Sequence, residues 1–194
     1  MKVGYREQFW KKNCVAIGMS AGFVEPLEAS AIYLLDAAAN MIADLFPRTQ
    51  QAMGCVADKF NKSFTMRMDR SIDFIKLHYC ISKRRDTQYW VDSCAAKTVP
   101  KSLQNRLDHW QYSAPSRYDF DYSFEPFVLD SYLYVLYGMG FEADVTLSGP
   151  SNENFDLAKV HFENVDRVSE MLTSELPTQR DLVEKVYKYG FGRV

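Results

Sequence analysis

Residues Cys14-Val15-Ala16-Ile17 form a short apolar run closed by Gly18, and this run constrains the fold more than any other stretch. It reads as a fully buried strand followed by a turn. The rest of the chain carries helical periodicity, so this is its one convincing strand, and one strand cannot form a sheet. Either Val15–Ile17 pairs with Met1–Tyr5 and with something near Val145, or its sheet partners lie outside this chain. The expected fold is mainly α with a short β element, part of something larger.

The segment Met19–Val24 is small and flexible, as a loop after a parallel strand would be. Glu25-Pro26 then opens a helix, with proline at the first helical position, where its missing N–H costs nothing. Leu27, Ala31, Leu34, Leu35, Ala38, Ile42 and Leu45 keep helical spacing, so the helix is expected over Pro26–Leu45, stopping before Pro47. From Thr49 to Lys83 there is no proline. Cys55, Phe60, Phe64, Met68, Ile72, Ile75 and Tyr79 mark one face of a long helix, with a bend expected near Gly54 or Lys62. Thr87 caps a short helix carrying Tyr89, Trp90 and Val91. Pro100 and Ser102 open another over Leu103–Tyr112, and Ser113–Asp121 is a loop. The apolar run Phe127–Tyr137 ends at Gly138, a natural C-terminal cap. Ser148–Asn152 is a turn in which Asn152 caps a helix to Leu176. Thr178 caps the last helix, which ends at Gly190.

The 194 residues suit one domain. Lys+Arg of 23 against Asp+Glu of 25 gives a net charge of −2, which removes any general pull on nucleic acid or an anionic membrane. No apolar run approaches the ~20 residues of a membrane span. Met1–Lys12 holds five charged residues and no apolar core of a secretory signal. Cys14, Cys55, Cys80 and Cys94 match no CxxC pattern and read as buried, reduced thiols of a cytoplasmic protein. Aromatic residues make up 14% of the chain, which fits either a thick core or a stacking site.

Several motifs have bland readings. Gly138-Met139-Gly140-Phe141-Glu142-Ala143 matches G-x-G-x-x-A, but a helical run precedes it where the dinucleotide fingerprint needs a strand. It reads as a helix-ending turn. His78, His109 and His161 lack metal-ligand spacing, so no metal site is expected. Asn61-Lys62-Ser63 is a glycosylation sequon inside a helical segment. The stretch Asn13–Ile32 differs, because a buried strand, a glycine-containing loop and a proline-initiated helix meet there. Glu28 falls near the third helical position, where unpaired N–H groups and the helix dipole bind anions. It is either a favourable first-turn acid or part of an anion-handling site.

The string N-C-V-A-I-G-x-x-x-G-F-x-E-P-L-E, Asn13 to Glu28, resembles the central signature of the flavin-dependent tryptophan halogenases. L-H-Y-C-I-S-K-R-R-D-T-Q-Y-W, Leu77 to Trp90, and S-Y-L-Y-V-L-Y-G-M-G, Ser131 to Gly140, are similar to two further blocks of that family, in family order. The resemblance implies that reduced FAD, delivered by a separate flavin reductase, reacts with oxygen. Chloride or bromide attacks the flavin hydroperoxide, and hypohalous acid travels to a lysine and halogenates an electron-rich aromatic such as tryptophan. It places Glu28 beside that lysine as the catalytic carboxylate, and the halide on the backbone N–H groups of Ser30 and Ala31. Gly18 and Gly22 are the candidate flavin-contacting positions. Phe124, Phe127 and Tyr132 are the candidate substrate-facing aromatics.

Two departures stand out. The family usually reads P-L-E-S-T, and this chain reads Pro26-Leu27-Glu28-Ala29-Ser30. The family's amino-terminal G-x-G-x-x-G fingerprint, its catalytic lysine and its W-x-W-x-I-P motif are absent. The chain therefore looks like the carboxyl-terminal part of an α+β FAD-dependent halogenase. Residues 1–24 would end the flavin-binding domain, and residues 25–194 would form a helical halide- and substrate-binding module. The missing amino-terminal half would be a partner if it is a separate chain. The alternative is a truncated, non-catalytic helical protein that binds a partner; another single-component flavin monooxygenase fits the P-L-E signature less well.

Overall fold

The proline-free stretch after Thr49 becomes one unbroken 28-residue helix, and the first part of the fold is arranged around it. The computed structural model describes residues 3–120, 124–144 and 154–191. The chain divides into two compact units, Met1–Leu147 and Ser148–Val194. In the first, the strands are β1 (Gly4–Tyr5), β2 (Trp10–Lys11), β3 (Cys14–Val15) and β4 (Gly22–Phe23). The helices are α1 (Ser30–Leu45), α2 (Met53–Cys80), α3 (Gln88–Ser93), α4 (Lys101–Trp110) and α5 (Leu129–Gly138). The second unit holds α6 (Phe155–Glu175) and α7 (Gln179–Tyr189). This is the mainly helical fold with a minor β element that the sequence predicts.

The expected buried strand is corrected. Within this run the strand is only Cys14–Val15, and it pairs antiparallel with Trp10–Lys11. Lys12, at a left-handed φ of 56°, reverses the chain between them. β1 pairs with β4, not with Val15–Ile17, and the alternative partner near Val145 lies outside the described residues. Cys14 is exposed, and Val15, Ala16 and Ile17 are only half-buried. The four cysteines are free, but Cys14 and Cys55 are exposed, not buried. Burial pushes the Cys80 thiol up to about 11.

α2 serves two cores. Phe60, Phe64, Met68 and Ile75 pack with Phe9, Trp10, Leu34 and Ala38 beneath α1 and the hairpin. Phe74 and Leu77, on another face, pack with Leu103, Trp110, Tyr132 and Leu136 of α4 and α5. Between the two run buried polar groups. Ser102 Oγ donates to Asp73 Oδ1 at 2.8 Å, Arg70 Nε lies 3.2 Å from Glu125, and burial holds the Asp73 carboxyl above the usual carboxylate range. Ser102 is thus used by the interior and does not cap α4, whose N-cap is Pro100.

Asn61 shows why its sequon is already spent. Its Oδ1 accepts from the N–H groups of Phe9 and Trp10 at 2.9 and 2.8 Å, and its Nδ2 donates to the Trp10 carbonyl at 2.9 Å. One amide side chain pins the hairpin to α2. Asn61→Ala leaves these partly buried backbone groups without partners, so it is expected to cost about 2 kcal/mol. The urea midpoint followed by Trp10 fluorescence checks this; an unchanged midpoint would mean that the hairpin is held by packing alone.

The Gly138–Ala143 string is a helix end, as the sequence predicts, with one refinement. Gly138 is still helical, and the left-handed residue is Gly140 at φ 71°. The Gly140 N–H donates to Tyr137 O at 3.1 Å and the Phe141 N–H to Leu136 O at 2.8 Å. This is a Schellman closure, sealed by Phe141 packing near Leu136. In the second unit, Thr178 Oγ1 accepts from the Asp181 N–H at 3.2 Å and Gly190 ends α7, as expected. The predicted Ser148–Asn152 turn lies outside the described residues. α6 and α7 keep Phe162, Val165, Leu182 and Tyr187 exposed.

Candidate functional site

The helix expected from Pro26 begins later than the sequence indicates. Leu27–Ala29 is a single 3-10 turn, and α1 starts at Ser30. Glu28 (φ 63°) and Ala29 (φ 47°) are both left-handed. Glu28 is therefore not a first-turn helix acid; it sits in a reversal just before the helix. Two consecutive left-handed residues without glycine cost roughly 1–2 kcal/mol each, so contacts elsewhere must hold them.

Those contacts reach the end of α2. Glu25 Oε2 accepts from the Tyr79 hydroxyl at 2.5 Å. Glu28 Oε1 lies 3.1 Å from His78 Nε2. The two acids of Glu25-Pro26-Leu27-Glu28 thus grip adjacent residues of Leu77-His78-Tyr79-Cys80, and two sequence blocks some fifty positions apart become one site. The hydrogen bond to Glu25 pushes the Tyr79 phenol well above its ordinary value. Tyr79 also contacts the rings of Tyr89 and Trp90 of α3, at 6.1 and 5.6 Å. His78 meets Phe74 edge-on at 5.0 Å, and Phe74 stacks on Phe127 at 4.0 Å.

α1 presents its first N–H groups with no side-chain cap. Ser30 is 3% exposed, and its hydroxyl has no hydrogen-bond partner. A buried, unpartnered hydroxyl at a 16-residue helix start is a donor set suited to an anion. Ala31 is exposed. It lines, with Gly18, Gly22, Met19, Ile32 and Leu35, an apolar cavity of about 340 Å³. Gly18 and Gly22 have internal duties as well. Gly18 is left-handed at φ 55°, and a Cβ on Gly22 would come 2.6 Å from that of Tyr5. Both glycines are thus required by the backbone geometry of the loop itself.

The candidate aromatics are not brought together. Phe124 is exposed, under the Arg67 guanidinium at 5.5 Å. Phe127 is half-buried on Phe74. Tyr132 is 1% exposed, with its ring against Phe74, Trp110 and Phe120 and its hydroxyl accepting from Arg106 at 3.2 Å. Burial pushes its phenol up to about 12. Tyr132 belongs to the interior that backs Phe127. Sequence reasoning missed His78, Glu25 and Tyr79, although Glu25 lies in the E-P-L-E block and His78-Tyr79 in the L-H-Y-C block. Among the described residues no three His, Cys, Asp or Glu side chains converge as metal ligands, and no helix is long and apolar enough to cross a membrane.

The chain is similar in sequence and fold to known proteins. The sequence profile of a family described as tryptophan halogenase matches residues 1–148. Tryptophan 6-halogenase SttH of Streptomyces toxytricini is 35% identical over 143 residues, 72% of this chain and 26% of that protein. A tryptophan halogenase structure from Shewanella frigidimarina superposes with a TM-score of 0.89 at 38% identity, over 99% of this chain and 36% of that one. BrvH, a flavin-dependent halogenase from Brevundimonas sp. BAL3, gives 0.81 at 31% identity, over 94% of this chain and 36% of that one. The chain thus spans about a quarter to a third of the length of the relatives it matches. With the family profile covering most of the chain and these folds superposing on it, the chain belongs to the flavin-dependent tryptophan halogenase family and carries a part of the halogenase fold.

Proposed function

We propose that this chain supplies the carboxylate and halide side of a halogenase active site, for oxidative halogenation of an electron-rich, indole-like aromatic. One observation carries the reading: the Glu28 carboxylate is held by His78 two residues before an uncapped helix whose first residue, Ser30, has a buried, unpartnered hydroxyl. Chloride or bromide would lie against the Ser30 and Ala31 N–H groups, where partial positive charge favours an anion. Glu28 would hydrogen-bond the halogenating species and take the proton from the ring carbon that receives the halogen. The C–H electron pair then restores aromaticity. Reduced FAD with dioxygen, fed by a flavin reductase, would supply the oxidising equivalents. Residues 1–24 would close the flavin-binding domain from this side, and 25–194 would form the halide- and substrate-binding module. Phe127, stacked on Phe74 and three contacts from Glu28 through His78 and Phe74, is the most favourable aromatic wall for a ring substrate.

The remainder of a halogenase, about two thirds by comparison with the relatives, must come from elsewhere. The exposed Met19, Ile32 and Leu35 beside the apolar cavity support packing against such a part. The test pairs this chain with the amino-terminal part of a family member. Reductase, NADH, oxygen, chloride or bromide and tryptophan or indole are added, and product is read by mass spectrometry. The chain alone is expected to bind FAD no tighter than micromolar and to give no halogenated product. The assembly should bind FAD and form the monohalogenated ring. An assembly that is folded and FAD-loaded yet yields none would favour the non-catalytic reading.

A further inference from the structure

His78 lacks metal-ligand spacing, yet its ring is fixed at both nitrogens. Nδ1 lies 2.8 Å from the Phe74 carbonyl. A carbonyl oxygen only accepts, so Nδ1 carries the hydrogen. Nε2 is then turned onto Glu28 Oε1 at 3.1 Å. A carboxylate also only accepts, so a hydrogen bond here requires one more proton, on Nε2 or on the carboxyl group. The edge-on contact with Phe74 fixes the plane of the ring. Among the described residues, the second oxygen of Glu28 makes no hydrogen bond.

We propose that His78 is the positioning residue of Glu28. Bound through Nδ1–H to the Phe74 carbonyl, it holds one proton jointly with Glu28, keeps the left-handed reversal in place, and leaves Oε2 to accept the proton of the halogenated ring carbon. This inference rests on the functional reading above. Neighbouring Glu25 and Tyr79 satisfy each other and do not compete for the pair. His78 does not touch the reacting atoms; it acts through the carboxylate.

The pair is tested first on the 194-residue chain itself by 15N NMR of the histidine rings. With three histidines, His78 is assigned by its loss in His78→Gln. The expected state has hydrogen on Nδ1, and Glu28→Gln should move the Nε2 signal of His78 while leaving His109 and His161 in place. A bare Nδ1, or a His78 signal indifferent to Glu28→Gln, overturns the proposal whether or not halogenation occurs. In the FAD-loaded assembly, His78→Leu should lower kcat about tenfold, the scale of one hydrogen bond to a charged group, with KM for the aromatic unchanged. His78→Gln, which keeps a donor, should recover part of that loss. His78→Leu added to Glu28→Gln should cause no further loss, because the two act as one unit. If Glu28→Gln is damaging but His78→Leu multiplies with it, the positioning role fails and the functional reading stands. If Glu28→Gln is harmless, the functional reading fails, and the NMR result still decides the pair.

Discussion

Glu28→Gln in the completed, FAD-loaded assembly is expected to lower halogenation by about 10²-fold or more, the scale of a positioned acid–base group. Reoxidation of reduced flavin by oxygen should be nearly unchanged. The substitution keeps the side chain's size and an amide that can still hydrogen-bond His78 Nε2. What it removes is the negative charge and the ability to take the ring proton. The reversal at Glu28 and Ala29 should therefore survive, because its other clamp, Glu25 on Tyr79, is untouched. Stopped-flow absorbance follows flavin oxidation, and product formation is read separately. If both rates hold, Glu28 is only a turn residue. If flavin oxidation collapses as well, the residue serves the loop or the halide pocket, and its place at the reacting ring is wrong.

The location of this carboxylate was legible in the sequence, but its geometry was not. The E-P-L-E block marked Glu28, and proline followed by helical spacing pointed to a helix from residue 26. Nothing in Glu-Ala signals two left-handed residues, a conformation normally announced by glycine or asparagine. The reversal exists because the end of α2 supplies His78 and Tyr79 as anchors, and contacts across fifty positions leave no periodic trace. The same limit hid half of α2. Its first apolar face, Phe60, Phe64, Met68 and Ile75, was plain at helical spacing. Phe74 and Leu77 form a second face whose burial depends on α4 and α5, and one helix with two cores blurs into a single broad pattern. Local signals fared better. The Gly138–Phe141 helix end and the Thr178 cap depend on neighbours within a few residues, and both appear where expected. The run Cys14–Ile17 failed in the other direction. Its apolar character predicts burial, whereas the run is half-exposed and Cys14–Val15 is one strand of the hairpin with Trp10–Lys11.

Phe74→Ala should be the most damaging single truncation in the first unit, costing about 3–5 kcal/mol. The residue is 1% exposed, and its ring meets Phe127, Tyr132 and His78 at 4.0, 4.8 and 5.0 Å. Deleting it opens a cavity in the core shared by α2, α4 and α5 and removes three aromatic contacts at once. For a unit of this size the loss corresponds to a fall in Tm of roughly 10 °C. Phe60→Ala is the matched control, because Phe60 is equally buried in the other core. Both variants should melt in one cooperative transition, since α2 carries both cores and neither can lose it alone. They should differ at the site. Below the transition, Phe74→Ala releases the His78 ring plane and shifts its 15N signals, while Phe60→Ala leaves them in place. Two separate transitions would show that the cores fold independently. A His78 signal unmoved by Phe74→Ala would mean that the Phe74 carbonyl and Glu28 alone fix the imidazole.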